Sequence, residues 1–424
     1  MISGKHLVSG AWWRPAAYLV LFAAVLLSAQ RAYREYRTWY DPADLVNLHV
    51  RQAGAFLKGR LDLERPAIDT AQYNGRTYVS FPPGPAVVFV PAVWLFGERL
   101  FIAPIVCALL TILNVRTVRH ILAALDVHPD LHYWLIAAFF LGSGYWFVLV
   151  FSYGIWHSAH VVATTFVLFA LSEILRRGNT MRAGVYVGAG FLSRQLTLSM
   201  VVFAALLARN TRSPSAPAAR LLAWSGMLAP VSLAIAAYVA FNFARFHDPF
   251  ETGYRFISFT DYELARVRAH GLFSPAYVPV NLFHLLVQGF HIEFTSTDRL
   301  AEPAVDWFGT SLPAASPFIF LALLAPLTSP VSRAAWPTIL LTASVQSFYF
   351  VNGAGQLNWQ RYALDYWPVL FLLVAMGFAR EHSHGHSLPW KLLIVYAITL
   401  NALVLALWSV FGMFLGFCAT QFVM

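Results

Sequence analysis

Charged side chains are scarce in this chain: 12% of its 424 residues are Asp, Glu, Lys or Arg, against 58% hydrophobic. That is about half the ~25% charged fraction of an ordinary soluble domain. Apolar runs near the ~20 residues that a helix needs to cross a bilayer recur along it. The shortage of charge therefore excludes a soluble globular protein and calls for a membrane protein of many helices. Cysteine is almost absent. Cys107 and Cys418 both fall in apolar runs, which excludes a disulfide framework and a Cys-based metal site. No Walker motif, no Gly-rich dinucleotide fingerprint and no Ser/His/Asp context occurs, so neither a nucleotide-driven pump nor a membrane hydrolase is indicated. The first apolar run, AAYLVLFAAVLLSAQ from Ala16, lacks a small-residue cleavage site followed by a soluble domain and reads as a retained first span.

Clear apolar runs cover roughly 15–30, 100–121, 132–151, 158–175, 221–243, 313–329, 336–351, 361–379 and 390–416. Region 183–208 reads as a helix pair turning at Ser193-Arg194-Gln195, because the connectors RRGNTMR and RNTRSPSAPAAR are both short and basic and belong on one side. This gives an all-α, polytopic fold of about eleven transmembrane helices. With the N-terminus inside, the inner segments hold 13 basic and 4 acidic residues, so the whole formal charge of +9 lies on that face. Such a bias is the positive-inside signature and needs no nucleic-acid partner. All but one of the remaining acidic residues gather in two long outer loops at about 31–99 and 244–312; a shorter outer loop lies at about 352–361, and the chain reads as a single domain covering 1–424, with no separate soluble domain expected.

The first outer loop carries the unusual composition. DLVNLHVRQAGAFLKGRL spaces Leu45, Leu48, Ala55 and Phe56 as an interfacial amphipathic helix would, with Arg51, Lys58 and Arg60 interleaved. Asp44 stands at its start, where a carboxylate caps free N–H groups; a catalytic role is the alternative. YNGRTYVSFPPGP follows, and then AVVFVPAVWLFG, which suits a second interfacial helix. Pro82 and Pro83 forbid regular helix and make a rigid elbow, and Gly84 admits close approach of backbone or ligand.

This order of parts resembles the GT-C superfamily of membrane glycosyltransferases, which includes the protein O-mannosyltransferases and the lipid A aminoarabinose transferases. SFPPGP stands where that family has a Pro-Pro elbow, and Asp44 lies fifteen residues before Gly59 of KGRL, the spacing of the family's first acidic residue. GAGFLSRQ, FNFARFHDPFETGY and NWQRYALDYWP are similar to later motifs of the family. The family's paired acidic residues are reduced here to Asp44, with Asp41 as another candidate, and the apolar C-terminal stretch reads as that of a minimal version.

The resemblance implies inverting transfer of a sugar from a polyprenyl-phosphate donor to a lipid, glycan or protein hydroxyl on the outer face of the plasma (inner) membrane, in cell-envelope glycan biosynthesis. That chemistry needs a carboxylate to take the acceptor proton and cations for the departing phosphate. Asp44 is the expected base, with Asp41 and then Asp69 behind it. Arg361 is the first candidate for the phosphate, followed by Lys58, Arg60, Arg76 and Arg194, since guanidinium groups match phosphate oxygens; snorkelling of Arg361 to the interface is the alternative. Arg194, ionisable and at membrane depth, is a functional candidate by default. Tyr73, Tyr78, Pro82, Pro83 and Tyr362 are expected to line the substrate groove. His157 and His160, three apart on one face, and His291 with Glu293 read either as hydrogen-bonded interfacial and acceptor-contacting groups or as part of a metal site; no set of four ligands is visible, and a divalent cation is left open as cofactor. Asp365, within an apparent span beside Tyr362, could pair with an arginine such as Arg361, four residues earlier on the same face. EHSHGHS near 381 reads as a solvated linker. A transporter or flippase of lipid-linked sugar is the other functional class, but it predicts internal repeats and charges strung through several spans, and neither is found.

Overall fold

The computed structural model describes residues 46–67, 69–210, 217–257, 261–294, 296–300, 303–306, 309–351, 361–411 and 414–415. The expected first span, Asp41 and Asp44 lie outside the described residues. The chain is a mostly helical, multi-pass membrane protein. Its helices are α1 (Leu48–Leu57), α2 (Gly84–Phe96), α3 (Ile102–Ala124), α4 (Pro129–Phe140), α5 (Gly144–Val150), α6 (Ile155–Ser172), α7 (Thr180–Phe191), α8 (Ser199–Asn210), α9 (Pro217–Phe246), α10 (Asp261–His270), α11 (Val278–Leu286), α12 (Leu312–Ala315), α13 (Pro330–Ser347), α14 (Trp367–Ser383) and α15 (Ser387–Phe411). Among the described residues four helices are long and apolar enough to cross a membrane, or five if the α4–α5 pair, bent by 57°, is one span. Several of the eleven expected segments are shorter than a full crossing. The stretch near 313–329 is largely a 3₁₀ run, Pro317–Leu324, and α14 has 17 residues.

The core sits around α14, which is apolar on all sides and buried for most of its length. Trp367 and Phe371 meet Phe139 of α4 with ring centroids 5.6 and 4.9 Å apart. Where helices come closest, small residues make room. A Cβ on Gly184 of α7 would lie 2.3 Å from the Met227 carbonyl oxygen of α9, and one on Gly188 would lie 2.9 Å from Ala234 Cβ. Four-residue spacing of small side chains is how helices approach closely in lipid.

The first outer loop differs from its expectation in three ways. Its helix α1 does not lie open on the surface: residues Leu48 to Ala55 are buried, and α1 packs on α2. Its cap is Asn47, whose side chain accepts from His49 N at 2.8 Å, so the capping role expected of Asp44 belongs to Asn47. Thirdly, the all-α expectation is broken by a hairpin, β1 (Thr70–Tyr73) and β2 (Arg76–Val79), paired antiparallel with Tyr73 opposite Arg76. Asn74 and Gly75 both have positive φ, 49° and 72°, the left-handed pair that a two-residue hairpin turn requires. A smaller sheet orders β3 (Ile292–Phe294), β4 (Pro303–Asp306) and β5 (Phe414–Leu415).

Three anchors pin this loop to the bundle. Asn47 Nδ2 donates to Ser158 Oγ at the start of α6 (3.0 Å) and to the Ser152 carbonyl (3.2 Å). The Arg245 guanidinium of α9, 1% exposed, donates to the Val79 carbonyl and to Asn242 Oδ1 (2.7 Å), with Phe241 and Phe246 beneath it. After the elbow, Gly84 N donates to the Leu192 carbonyl at 2.6 Å. A Cβ on Gly84 would fall 2.5 Å from that oxygen, so the expected close approach at Gly84 is to backbone.

Candidate functional site

The helix break expected at Ser193-Arg194-Gln195 is present: α7 ends at Phe191 and a 3₁₀ turn resumes at Gln195. It leaves Arg194 extended beside the 3₁₀ turn Arg361–Asp365. Arg194 Nε and Nη2 donate to the two Asp365 oxygens at 2.5 and 2.8 Å, a two-pronged pair on a carboxylate whose side chain is 1% exposed. Gln346 of α13 fixes the same carboxylate at 3.0 Å and the Tyr362 carbonyl at 2.8 Å. The expected Arg361–Asp365 pair is therefore replaced by Arg194–Asp365. The cause is the 3₁₀ geometry, which aligns residues three apart and turns residue 361 away from 365.

Arg361 is buried and stacks on two rings, Trp156 at 5.6 Å and Tyr362 at 5.3 Å. Tyr362 also carries Arg194 at 5.2 Å, so one ring serves two guanidinium groups. His157 and His160 project from the first turns of α6 into the same region. Both are buried, and their ring nitrogens have no hydrogen-bond partner among the described residues; His160 Nδ1 lies 3.7 Å from Asp365 Oδ1.

Two carboxylates reach this cluster from the loops. Asp69, at the foot of the hairpin with φ 63°, has its carbonyl held by Ser80 Oγ at 3.2 Å, just before the elbow. Burial pushes its carboxyl up to about 6; the like charge of Glu263 on α10 adds to this and Arg361 opposes it. Asp69, Glu263 and Arg361 thus come from three distant segments into one electrostatic neighbourhood. Trp156, Gln346 and Glu263 carry no motif of their own and were not expected. The Asn74-Gly75 turn was the legible signal for the hairpin that returns Ser80 to Asp69.

The remaining expected residues divide. Arg361, Arg194, Tyr362, His157 and His160 are brought together. Pro82 and Pro83 are buried at the elbow, above the Arg194 turn. Tyr73 and Tyr78 pack instead on Phe246, at 5.6 and 5.3 Å. Lys58 pairs with Glu64 (2.9 Å) and Arg60 with Asp62 (2.7 Å), around a separate surface cleft of about 300 Å³ that also includes Arg51 and Glu98. Arg76 is exposed on the hairpin. His291 is exposed beside β3, and Glu293 lies in that strand. Among the described residues no group of three His, Cys, Asp or Glu side chains could hold a metal ion.

No protein-family model matches the chain, and neither does any protein of curated function. Two solved structures are similar. The oligosaccharyltransferase of Archaeoglobus fulgidus in its apo form is 13% identical over 94% of this chain and 57% of its own, with a TM-score of 0.50. A structure of archaeal oligosaccharyltransferase AglB from the same organism, in complex with an inhibitory peptide and a dolichol-phosphate, is 12% identical over 96% of this chain and 57% of its own, with a TM-score of 0.44. The chain thus spans less than two thirds of either protein. The first likeness, at 13% identity, shows a fold shared with that oligosaccharyltransferase and nothing finer.

Proposed function

We propose that this chain is a membrane glycosyltransferase that moves a sugar from a polyprenyl-phosphate donor to an acceptor hydroxyl, inverting the anomeric carbon, at the outer face of the membrane. The observation that carries the reading is the convergence of Arg361, Arg194, Asp365, Asp69 and two buried histidines beneath a pinned outer loop, within a fold like that of an oligosaccharyltransferase.

The chemistry follows from the charges. As the sugar leaves the lipid phosphate, negative charge grows on the phosphate oxygens, and a preorganised cation stabilises it most where water is excluded. Arg361 is that cation: buried, set over the rings of Trp156 and Tyr362, and offering a planar fork to a phosphate. Arg194 acts through geometry. Its two-pronged pair with Asp365 locks the turn that presents Arg361 and Tyr362. His157 and His160 supply ring N–H groups to the donor phosphate or the sugar. The exposed Lys58, Arg60 and Arg76 serve the approach of the anionic donor.

The base that takes the acceptor proton comes from the first outer loop. Asn47 fills the capping role at the start of α1, and Asp69 is the described carboxylate of this loop whose charge Arg361 favours. Transfer of labelled sugar by Asp44→Asn and Asp69→Asn, measured side by side in chains of equal monodispersity, assigns it. The variant that removes the base falls by ~10²-fold or more, the scale of general-base catalysis. Full activity in both, and in Asp41→Asn as well, would leave the reaction without a carboxylate base and sink the mechanism.

A further inference from the structure

The span Ile155–Arg177 has 23 residues, about 34 Å at 1.5 Å per residue. Its start holds His157 and His160, so its end lies a bilayer's thickness away, at the opposite membrane surface. That end is unusual. Residues Glu173–Arg177 form a π-turn, and they pack against α3. The guanidinium groups of Arg176, Arg116, Arg119 and Arg177 all lie within electrostatic reach of one imidazole, His120. Arg177 is neutralised by Glu173 at 2.9 Å. Arg116, Arg119 and Arg176 are exposed and form no ion pair among the described residues. Guanidinium groups on two packed elements around one imidazole repel one another unless an anion joins them.

The surface next to them is apolar and faces outward. Leu109 and Leu113 are 53% and 45% exposed. With Arg116 and His120 they fall at i, i+4, i+7 and i+11 of α3, a single stripe. The stripe therefore runs from hydrocarbon into a cationic end, which is the polarity of a phospholipid molecule standing beside the helix.

We infer that Arg116, Arg119 and Arg176, around His120, form a binding site for the headgroup of an anionic phospholipid, whose acyl chain lies along Leu109 and Leu113. The phosphate sits between α3 and the π-turn, where Arg forks match its oxygens. This site is distinct from the one proposed for sugar transfer and stands without it.

The test uses the full chain in nanodiscs of phosphatidylcholine with and without phosphatidylglycerol, bound lipid being counted by native mass spectrometry. The variants are Arg116→Gln, Arg119→Gln and Arg176→Gln, singly and together. Arg333→Gln is the control, because Arg333 is an exposed cation at the start of α13, whose other end carries Gln346 of the transfer site. All four positions are exposed, so the folded state survives each change. Wild type should retain phosphatidylglycerol over phosphatidylcholine, each guanidinium removed should weaken retention about five-fold, and Arg333→Gln should leave it unchanged. Equal losses in Arg333→Gln, no preference for the anionic lipid, or displacement by inorganic phosphate alone would each overturn the inference, the last by making this a free-anion site.

Discussion

At the scale of single residues, the Arg194–Asp365 pair and the Asp69 carboxyl decide most. Asp365 is buried, and its charge is compensated by Arg194 and Gln346. Removing one partner of such a pair leaves the other buried and uncompensated, a loss of about 3–5 kcal/mol. Asp365→Asn is expected to lower thermal stability in detergent by that order, and Arg194→Met in the same chain to restore part of it, because the stranded cation is then gone. A double variant no more stable than Asp365→Asn would show that the pair does not act as a unit. Asp69 makes the pH dependence. Its folded value of about 6 stands above the ordinary 3.8 because of burial and Glu263. A raised carboxyl stabilises the fold in its protonated form, so its contribution is full below 3.8 and is lost as pH rises through about 6. A base works as the carboxylate. If Asp69 is the base, transfer rises with pH through about 6 while stability falls over the same window, and Asp69→Asn flattens the stability profile.

At the scale of elements, the controlling piece is the first outer loop, held at Asn47, Val79 and Gly84 by three different parts of the bundle. Gly84→Ala tests this clamp. A methyl group 2.5 Å from the Leu192 carbonyl oxygen cannot be accommodated without moving backbone, and overpacking of this kind costs about 1–3 kcal/mol. The expected result is a lower melting temperature together with reduced transfer, since the turn that moves carries Arg194; unchanged melting would mean that the elbow and the turn are not in rigid contact. The elbow, the break at Arg194 and the buried helices were legible because Pro, Gly and apolar run length act locally. The hairpin was written in Asn74-Gly75 but sits in a loop whose apolar spacing suggested helices alone. The burial of α1 was hidden, because Arg51 and Gln52 look solvent-facing in sequence, whereas in the fold both are buried and Arg51 donates to the Arg65 carbonyl at 2.6 Å. The partner of Asp365 was equally hidden, since Arg194 lies 171 positions away and no local period connects them.

At the scale of the whole molecule, the bundle separates two kinds of chemistry by the thickness of a bilayer. One end carries the hairpin with Asp69 beside buried arginines and histidines, and the other carries exposed cations next to an outward-facing apolar stripe. The charge distribution of the sequence implies an orientation for the two ends, because the positive-inside bias is a property of segments and survives errors in counting them. Which sugar and which acceptor are used depends on the shape of the closed site, formed by residues far apart in the chain. The most direct test of the central claim is transfer of labelled sugar from a panel of polyprenyl-phosphate sugars by the purified chain in lipid, beside Arg361→Ala. The account predicts turnover of at least one donor by wild type and a loss of about 10²-fold or more in the variant at equal folded protein, the scale for removing a group that stabilises developing charge. A folded wild-type chain that turns over no donor, or an Arg361→Ala chain that transfers at the wild-type rate, would contradict it.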